Sequence, residues 1–224
     1  HLIDVFRRRG WEAAALWEDA PFKVVDPFVN AVLHRADGDL AAIADELGEP
    51  RDEIMGWRAA TEAAFPRLWS EASGTFEAWD AHAERPLDDA GVAGFAPLWA
   101  GLADARQASV LRDAFDDPQA YGPDDEHGFR LPTTPKHGYF FAPRRYWRGP
   151  VWINANWMLA HGFAEAGMPD AARTLRRDAL TLMRRHGFWE HYDPRDGTPG
   201  GARGFSWSAA LALVLEREAA AGEA

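Results

Sequence analysis

Apolar positions recur at helical spacing along most of the chain. The pattern is clearest in two consecutive segments, with Trp152, Asn156, Leu159 and Phe163 in the first and Leu175, Ala179, Leu182 and His186 in the second. Residues three and four positions apart share one face of an α-helix. Pro150 and Pro169 open these segments, and proline suits the first turn of a helix. We therefore predict two helices that form an antiparallel hairpin.

Helix starts and stops are also marked in the first third of the chain. Asp26 with Pro27 predicts one helix start, an N-cap followed by proline in the first turn. A second, short helix is predicted from Asp39 as N-cap to Gly48 and Pro50 as stop signals. The residues that share one face of this short helix are Leu40, Ile43, Ala44 and Leu47.

Further helices are predicted over 52–69, 95–103 and 105–115. Pro66 is expected to disturb the end of the first, because proline lacks the amide hydrogen that a helix interior uses. The other two form a pair with a break near Asp104.

The last predicted helix starts at Ser206 as N-cap. It is expected to be largely buried through its apolar residues Ala210, Leu211, Leu213 and Val214. Strand patterns are short and confined to stretches such as 75–81 and 188–192. With about eight helices predicted, the fold class is mostly α.

A weak internal repeat links the two strand segments. "FEAWD" at 76–80 and "WEHYD" at 189–193 both read aromatic, Glu, any residue, aromatic, Asp, and each follows a long helix. Helix pairs repeated around a ring, with loops on one rim, would produce such an echo, although five residues can also match by chance. The polar, proline-rich stretch 116–145 is longer than a plain connector needs, and we interpret it as a rim loop over a cleft.

Composition narrows the function classes. The chain has 224 residues, 47% of them hydrophobic, and a formal net charge of -11, which would repel nucleic acid. It has no cysteine, and its eight histidines show no HExxH-like spacing, so we expect neither a metal nor a cofactor. No apolar run approaches the roughly 20 residues of a membrane span, and the first residues lack a signal peptide's apolar stretch. We therefore expect a cytoplasmic protein with neither a membrane nor a nucleic-acid partner.

The segment "RYWRGPVWINANW", residues 145–157, is the richest in candidate binding residues. Arg148 stands before a Gly-Pro turn that starts a helix, beside Tyr146, Trp147 and Trp152. An arginine among aromatic faces suits recognition of hydroxyl or carboxylate groups, and it also suits stacking that closes a loop. The chain's 11 tryptophans likewise fit either sugar stacking or a large helical core.

Glu190 is the leading catalytic candidate. It lies among aromatic residues in "GFWEHYDPRDGTPGGARGFSWSAA", residues 187–210, before a glycine-rich loop, although a packed turn between helices would explain the same residues. Inverting hydrolysis of a glycosidic bond needs a protonated carboxyl and a carboxylate that activates water, about 6.5–9.5 Å apart. Glu77 in the echoing segment is a conceivable partner. Ser206 is not expected to be a nucleophile, because "GFSWS" lacks the final glycine of GxSxG.

These two motifs, together with "DPFVNAVLHRADGDLAAIADELG" at 26–48, resemble glycoside hydrolase family 63, particularly its bacterial members similar to mannosylglycerate and glucosylglycerate hydrolases. The trehalase family is a more distant relative. The resemblance covers nearly the whole chain from about Phe22 onward. It implies an (α/α)6 toroid, whose inner helices and rim loops surround a sugar pocket, and cleavage of α-glycosidic bonds with inversion.

The resemblance also implies roles for individual residues. The family's general base falls on Glu190, and the tryptophan of its FSW motif, near the base, falls on Trp207. The pocket-lining residues that the YWRGPVW motif implies are Tyr146, Trp147, Arg148 and Trp152. His137 in the rim loop, like Lys136, is a further candidate to bind a substrate carboxylate.

One part of the family pattern is missing. The general acid is an aspartate in a Gly-Trp-Asp or Gly-Met-Asp segment upstream of the 26–48 motif, and Gly10-Trp11-Glu12 is only a stand-in for it. A toroid of twelve helices also needs more than 224 residues. We therefore expect 1–224 to be the C-terminal part of a single catalytic domain, with the acid upstream. Such a part would expose apolar inner faces, which predicts a missing N-terminal segment or a homo-oligomer as partner.

The expected function is inverting hydrolysis of a small glucoside or mannoside, such as glucosylglycerate or mannosylglycerate, with little turnover by the fragment alone. A non-catalytic helical carbohydrate-binding module or an inactive fragment is the alternative, and it would bind sugar without turnover. A sugar epimerase on a related toroid would need paired histidines as acid and base, for which His137 and His191 are the available pair.

Overall fold

Most of the chain is helical, as the apolar spacing predicts. The computed structural model describes residues 2–88 and 90–221. Within these ranges there are nine α-helices: α1 (Leu2–Arg8), α2 (Ala13–Asp19), α3 (Pro27–Leu47), α4 (Asp52–Ala64), α5 (Ala96–Ala100), α6 (Ala105–Asp116), α7 (Ile153–Glu165), α8 (Pro169–His186) and α9 (Ser206–Ala220). Seven short strands lie between them: β1 (Val24–Val25), β2 (Trp69–Ser70), β3 (Thr75–Phe76), β4 (Trp79–Asp80), β5 (Arg85–Pro86), β6 (Trp189–Tyr192) and β7 (Pro199–Arg203).

Short and long connections alternate between the helices from α3 onward. Short turns at 48–51, 101–104 and 166–168 join α3 to α4, α5 to α6 and α7 to α8. Long connections at 65–95, 117–152 and 187–205 follow α4, α6 and α8. Because a short turn joins antiparallel neighbours, all three long connections lie at the same end of the helices. We call this end the rim.

Hydrogen bonds between the long connections confirm that they meet at the rim. The Val92 amide donates to the Thr133 carbonyl over 3.0 Å, which joins the first connection to the second. The second joins the third where Val151 and Tyr192 exchange two backbone hydrogen bonds of 2.8 and 3.0 Å. In addition, the Phe129 amide donates to the Pro194 carbonyl over 2.7 Å.

The helices form an inner and an outer layer. In the inner row α3 contacts α5, α5 contacts α7 and α7 contacts α9, whereas α4 packs on α3 and α8 packs on both α7 and α9. The main core lies between the layers, where the ring of Phe163 is 4.8 Å from that of Phe115 and 6.3 Å from that of Phe95. This alternation of inner and outer helices is the arrangement of an α/α toroid, of which the chain forms an open row.

Several predicted helix boundaries are confirmed. The Asp26 carboxylate accepts a hydrogen bond from the Val29 amide over 2.8 Å and caps α3, and Gly48 ends α3 with a φ of 70°. Asp104 starts α6 with a capping box, in which its carboxylate and the Gln107 side chain each bond the other's backbone amide. The helix predicted over 52–69 ends at Ala64, and a single 3-10 turn, Phe65–Leu68, follows at Pro66.

Asp39 is not an N-cap, and the short helix predicted from it is wrong. Residues Pro27–Leu47 form one continuous helix, so Asp39 lies in its interior. Gly38 marks a point of close approach within this helix rather than a break. A Cβ atom at this position would lie 2.5 Å from Nη1 of Arg58 in α4.

The last third of the chain contains three further corrections. The first predicted hairpin helix begins at Ile153 rather than Pro150, because Val151 pairs with Tyr192. Ser206 is the first residue of α9, and its N-cap is Phe205 without a side-chain bond. The prediction that α9 is largely buried is also wrong, since Leu213 is 76% exposed. Helix α9 ends the inner row, so only the face with Ser208 and Leu215 is covered.

The rim contains three small antiparallel sheets, ordered β1-β4-β5, β2-β3 and β6-β7. The echoing segments at 76–80 and 189–193 both lie in long connections that follow an outer helix. Part of the glycine-rich stretch expected to be a loop is strand β7. Among the described residues, no helix is both long enough and apolar enough to span a bilayer.

Candidate active site

A bulged hairpin at the rim carries Glu190. Strand β6 pairs with β7 so that Trp189 faces Arg203 and His191 faces Gly200, and between these two pairs Gly201 and Ala202 of β7 oppose the single residue Glu190 of β6. The extra residue of this β-bulge therefore belongs to β7, across from Glu190. Oε2 of the half-buried Glu190 carboxylate accepts a hydrogen bond from the Ala202 amide over 3.0 Å. The hairpin therefore fixes one carboxylate oxygen of this residue.

The glycines of β7 allow this geometry. Gly201 has a φ of 74°, and a Cβ atom there would overlap Oε2 of Glu190. A Cβ atom at Gly200 would overlap the ring of His191. The glycine-rich sequence therefore lets the backbone of β7 approach the side chains of two consecutive residues of β6.

Three aromatic residues of the second long connection pack together beside this hairpin. The rings of Trp147 and Trp152 are stacked with centroids 4.0 Å apart and planes 9° apart. Tyr146 meets Trp152 edge to face at 5.2 Å, and its backbone carbonyl accepts a 3.2 Å hydrogen bond from Nε1 of Trp152. Trp152 is buried, whereas Tyr146 and Trp147 are 56% and 39% exposed. The cluster therefore presents two aromatic faces on a buried base.

His191 joins the aromatic cluster to the hairpin. Its ring lies 5.5 Å from that of Trp152 and 6.5 Å from that of Tyr146. Burial lowers the pKa of His191, and the charge of the neighbouring Glu190 acts weakly in the opposite direction. The imidazole is therefore neutral near pH 7, which suits packing against aromatic rings.

Tyr146 has an unusual backbone conformation. Its φ is 46°, in the left-handed region that non-glycine residues rarely occupy. Such a conformation persists only where the surrounding structure holds it, and it is frequent at functional sites. Here the surroundings include the hydrogen bond from Trp152 and the ring contacts with Trp147 and Trp152.

A small cavity opens beside Trp147. It has a volume of about 180 Å³ and lies between the start of α3 and the first two long connections. Its lining includes Asp26, Ala78, Thr133, Thr134 and Trp147. Trp147 therefore contributes both to the stacked pair and to the wall of an open space at the rim.

Arg148 contacts its own loop. Nε of Arg148 donates to the Phe140 carbonyl over 3.2 Å, and its guanidinium lies 5.2 Å from the centre of the Phe140 ring. Of the two roles that the sequence left open for Arg148, the structure shows the loop-closing one, with phenylalanine in place of tryptophan.

His137 and Trp207 lie at the rim with contacts of their own. The exposed His137 pairs through Nδ1 with the Gln119 carbonyl at 3.0 Å. Trp207 is 52% exposed in the first turn of α9, and its ring contacts that of Phe205 at 5.3 Å. Lys136 is bonded to the Asp124 carboxylate over 2.6 Å. These residues border the same end of the molecule without belonging to the stacked cluster.

The alternative chemical candidates lie in different elements from Glu190. Glu77 is 5% exposed and lies in the connection after α4, whereas Glu190 lies in the connection after α8. Glu12 is exposed between α1 and α2, two helices without a buried residue. In the part of the chain that the structure describes, no three His, Asp or Glu side chains are grouped to hold a metal ion.

Sequence reasoning missed Asp193, although its signal was present in the charges of "APRRYW" and "YDPRDG". The carboxylate of Asp193 is 0% exposed and bonds Arg144 from the rim loop and Arg195 from its own hairpin. Burial alone would raise the pKa of Asp193. Hydrogen bonds from the Arg195 side chain and amide and from Arg144 outweigh burial and lower it.

Comparison with solved structures gives the same fold. A crystal structure of the family 63 mannosylglycerate hydrolase from Thermus thermophilus, in complex with Tris and D-glycerate, superposes with a TM-score of 0.91 at 43% identity, over 96% of this chain and 51% of that one. The neutral trehalase of Saccharomyces cerevisiae superposes with a TM-score of 0.66 at 19% identity, over 87% of this chain and 38% of that one, which shows the fold alone. These similarities confirm a mostly helical α/α toroid of the glycosidase class.

The sequence relatives define the family. Residues 2–208 match the model of the mannosylglycerate hydrolase MGH1-like glycoside hydrolase domain, and the chain belongs to this family. The mannosylglycerate hydrolase of Thermus thermophilus is 43% identical over 96% of this chain and 51% of its own length. The glucosylglycerate hydrolase of Mycolicibacterium hassiacum is 32% identical over 86% of this chain and 44% of its own length. The chain thus spans about half the length of these relatives.

Proposed function

We propose that the chain carries the base-bearing part of an inverting α-glycoside hydrolase that acts on a small glucoside or mannoside. The relatives named for mannosylglycerate and glucosylglycerate hydrolysis make these two glycosides the first candidate substrates. In this proposal residues 1–224 belong to a single (α/α)6 catalytic domain, and the stretch 116–145 is its rim loop.

The observation that carries the proposal is the placement of Glu190. It lies in β6, opposite the bulge of the rim hairpin, next to His191, whose ring packs on the aromatic cluster. The Ala202 amide holds Oε2, so Oε1 is the oxygen that would accept a proton from water. A carboxylate with one oxygen held and the other left to accept a proton suits a general base that activates water in glycoside hydrolysis.

Tyr146 and Trp147 would bind the sugar through their exposed faces, and Trp152 would support them from below. Trp207, His137 and Arg148 are proposed as further contacts from the rim, with His137 or Arg148 facing a substrate carboxylate. Arg148 would have to leave the Phe140 carbonyl to do so.

The protonated carboxyl that assists the leaving group would come from the remainder of the toroid. General acid catalysis contributes about 10²- to 10⁴-fold in rate. The 224 residues alone would therefore bind sugar and turn it over poorly. A carbohydrate-binding module without catalysis remains the second candidate, because the chain spans only half of its relatives' length.

The test is hydrolysis of glucosylglycerate and mannosylglycerate by the complete gene product that contains these residues, with this chain assayed in parallel. Proton NMR during the first turnovers should show the released sugar as its β-anomer, since inversion of an α-glycoside produces this anomer. First release of the α-anomer would contradict inversion. Binding of either glycoside without hydrolysis would favour the non-catalytic module.

A further inference from the structure

A buried carboxylate joins the rim loop to the hairpin that carries Glu190. Nε of Arg144 donates to Oδ2 of Asp193 over 2.7 Å, and Nη2 of Arg195 donates to the same oxygen over 2.8 Å. The Arg144 side chain is 60% exposed and the Asp193 side chain 0%. A buried carboxylate needs charged or hydrogen-bonding partners. Asp193 therefore binds one arginine from each of two chain segments.

The segment from Arg144 to Val151 is anchored to the hairpin at both ends. Arg144 bonds Asp193 at one end, and Val151 pairs with the backbone of Tyr192 at the other. Two consecutive turns shape this segment. The Arg145 amide donates to the Ala142 carbonyl just before it, and the Arg148 amide donates to the Arg145 carbonyl within it, both over 2.9 Å. We call residues 144–151 the strap. Its middle carries the two exposed aromatic residues of the cluster.

We propose that Asp193 is a positioning residue, which acts through Arg144 to hold Tyr146 and Trp147 against the hairpin that carries Glu190. The role of the strap in sugar binding rests on the proposed function. Arg195 has a different part, because its amide and its Nε both bond Oδ1 of Asp193 over 3.0 Å within the same turn. Arg195 thus shapes the hairpin, and Arg144 attaches the strap to it.

The two arginines provide a matched pair of variants. Arg144→Ala releases the strap while Asp193 keeps Arg195, and Arg195→Ala leaves the strap attached. In the complete gene product we expect Arg144→Ala to lower kcat and raise KM together, as loss of loop positioning does, with kcat/KM reduced about 5- to 30-fold. Arg195→Ala should stay close to the wild type, and Arg144→Lys should recover part of the loss because it keeps the charge.

A spectroscopic readout makes the test independent of turnover. The stacked pair Trp147 and Trp152, 4.0 Å apart, should give an exciton couplet in circular dichroism, measured as the difference from Trp147→Phe. We expect Arg144→Ala to weaken this couplet and Arg195→Ala to preserve it. If the wild type hydrolyses neither glycoside, the proposed function fails for these two substrates, and the couplet still tests the attachment of the strap independently.

Two results would overturn the proposal. Equal losses in Arg144→Ala and Arg195→Ala would mean that Asp193 serves only the fold of the hairpin. An unchanged couplet and unchanged kinetics in Arg144→Ala would mean that the strap needs no attachment through Asp193. Urea unfolding of both variants controls for a general loss of stability.

Discussion

Large aliphatic residues are buried on one side of the molecule and exposed on the other. On the α5–α9 side Leu159 and Leu175 are fully buried between the helical layers. On the α3–α4 side Leu40 is 44% exposed and Leu47 71% exposed, although α3 is the longest helix. Both sides show apolar residues at helical spacing. Apolar spacing therefore identifies a helix face that suits packing. It does not show which segment, if any, covers that face.

Helix α3 has a buried face and an exposed apolar face. Its buried face combines alanines with His34 and Asp37, and Ala31 packs with Ala96 and Ala100 of α5. Its other face carries apolar residues at 4-3-4-3-4 spacing, all exposed: Val29, Leu33, Ala36, Leu40, Ile43 and Leu47. This is the spacing of a helix–helix packing seam. The seam lies at one open end of the inner row, and the exposed Leu213 of α9 lies at the other.

The largest expected effect lies in the closed core. Phe163 is 0% exposed and contacts the rings of Phe95 and Phe115. Phe163→Ala should lower the free energy of unfolding by about 3–5 kcal/mol, because it removes buried area and leaves a cavity. Urea unfolding would measure the change. A loss of unfolding free energy below about 1 kcal/mol in Phe163→Ala would contradict the claim that this side forms the closed core.

Acid should weaken the rim hairpin more than the α3–α4 pair. Because the pKa of Asp193 is lowered in the folded state, its stabilising contribution is complete above the unfolded-state pKa of about 4. That contribution is lost as pH falls towards the lower folded-state pKa. Asp193→Asn should therefore flatten the acid side of the stability–pH curve.

The matched control for this acid effect is Glu62→Gln. A hydrogen bond from His34 is the main cause of the lowered pKa of Glu62, whose side chain is 49% exposed. Solvent screening reduces the stabilisation that such an exposed pair contributes. If Glu62→Gln flattened the stability–pH curve as much as Asp193→Asn, the claim that acid weakens the rim hairpin more than the α3–α4 pair would be contradicted.

Loss of the α6 cap should have an intermediate effect. Asp104→Ala removes the carboxylate that accepts from the Gln107 amide over 2.8 Å. The expected loss is about 1 kcal/mol in the free energy of unfolding, within the usual range for N-caps. Asp39→Ala is the control, because Asp39 resembles a cap in sequence and lies inside α3. A larger loss from Asp39→Ala would show that α3 is divided there after all.

The smallest effect is expected on the exposed seam. Leu40→Ala should change the free energy of unfolding of this chain by no more than about 0.5 kcal/mol, because its side chain is substantially exposed. The comparison with Phe163→Ala by the same urea assay is direct. A loss of several kcal/mol from Leu40→Ala would mean that the seam is covered in solution.

The sequence predicted local features well. Asp26, Gly48 and Asp104 mark helix ends through bonds to residues a few positions away, and such signals can be read locally. The prediction from Asp39 failed because it also used local signals alone. An aspartate in the interior of a helix can have the same sequence neighbours as an aspartate at an N-cap. The exposure of α9 depends on whether a neighbouring helix exists, which its own pattern does not encode.

The candidate site could be predicted only in part. The aromatic motif and Glu190 were identifiable because they are concentrated in two short segments. The bond between Arg144 and Asp193 joins positions 49 residues apart, and the contact between Tyr146 and His191 spans a similar separation. Such contacts follow from the topology of the rim, which brings the ends of α6 and α8 together. The turn of Arg148 towards Phe140 is likewise decided by the fold of the loop.

The most direct test of the central claim is Glu190→Gln in the complete gene product, with Glu46→Gln on the exposed surface of α3 as control. The variant keeps the shape of the side chain and removes its basic oxygen. We expect kcat for the hydrolysed glycoside to fall about 10²- to 10⁴-fold, while glycoside affinity measured by calorimetry stays near that of the wild type. Turnover close to that of the Glu46→Gln control would contradict the assignment of Glu190 as the general base.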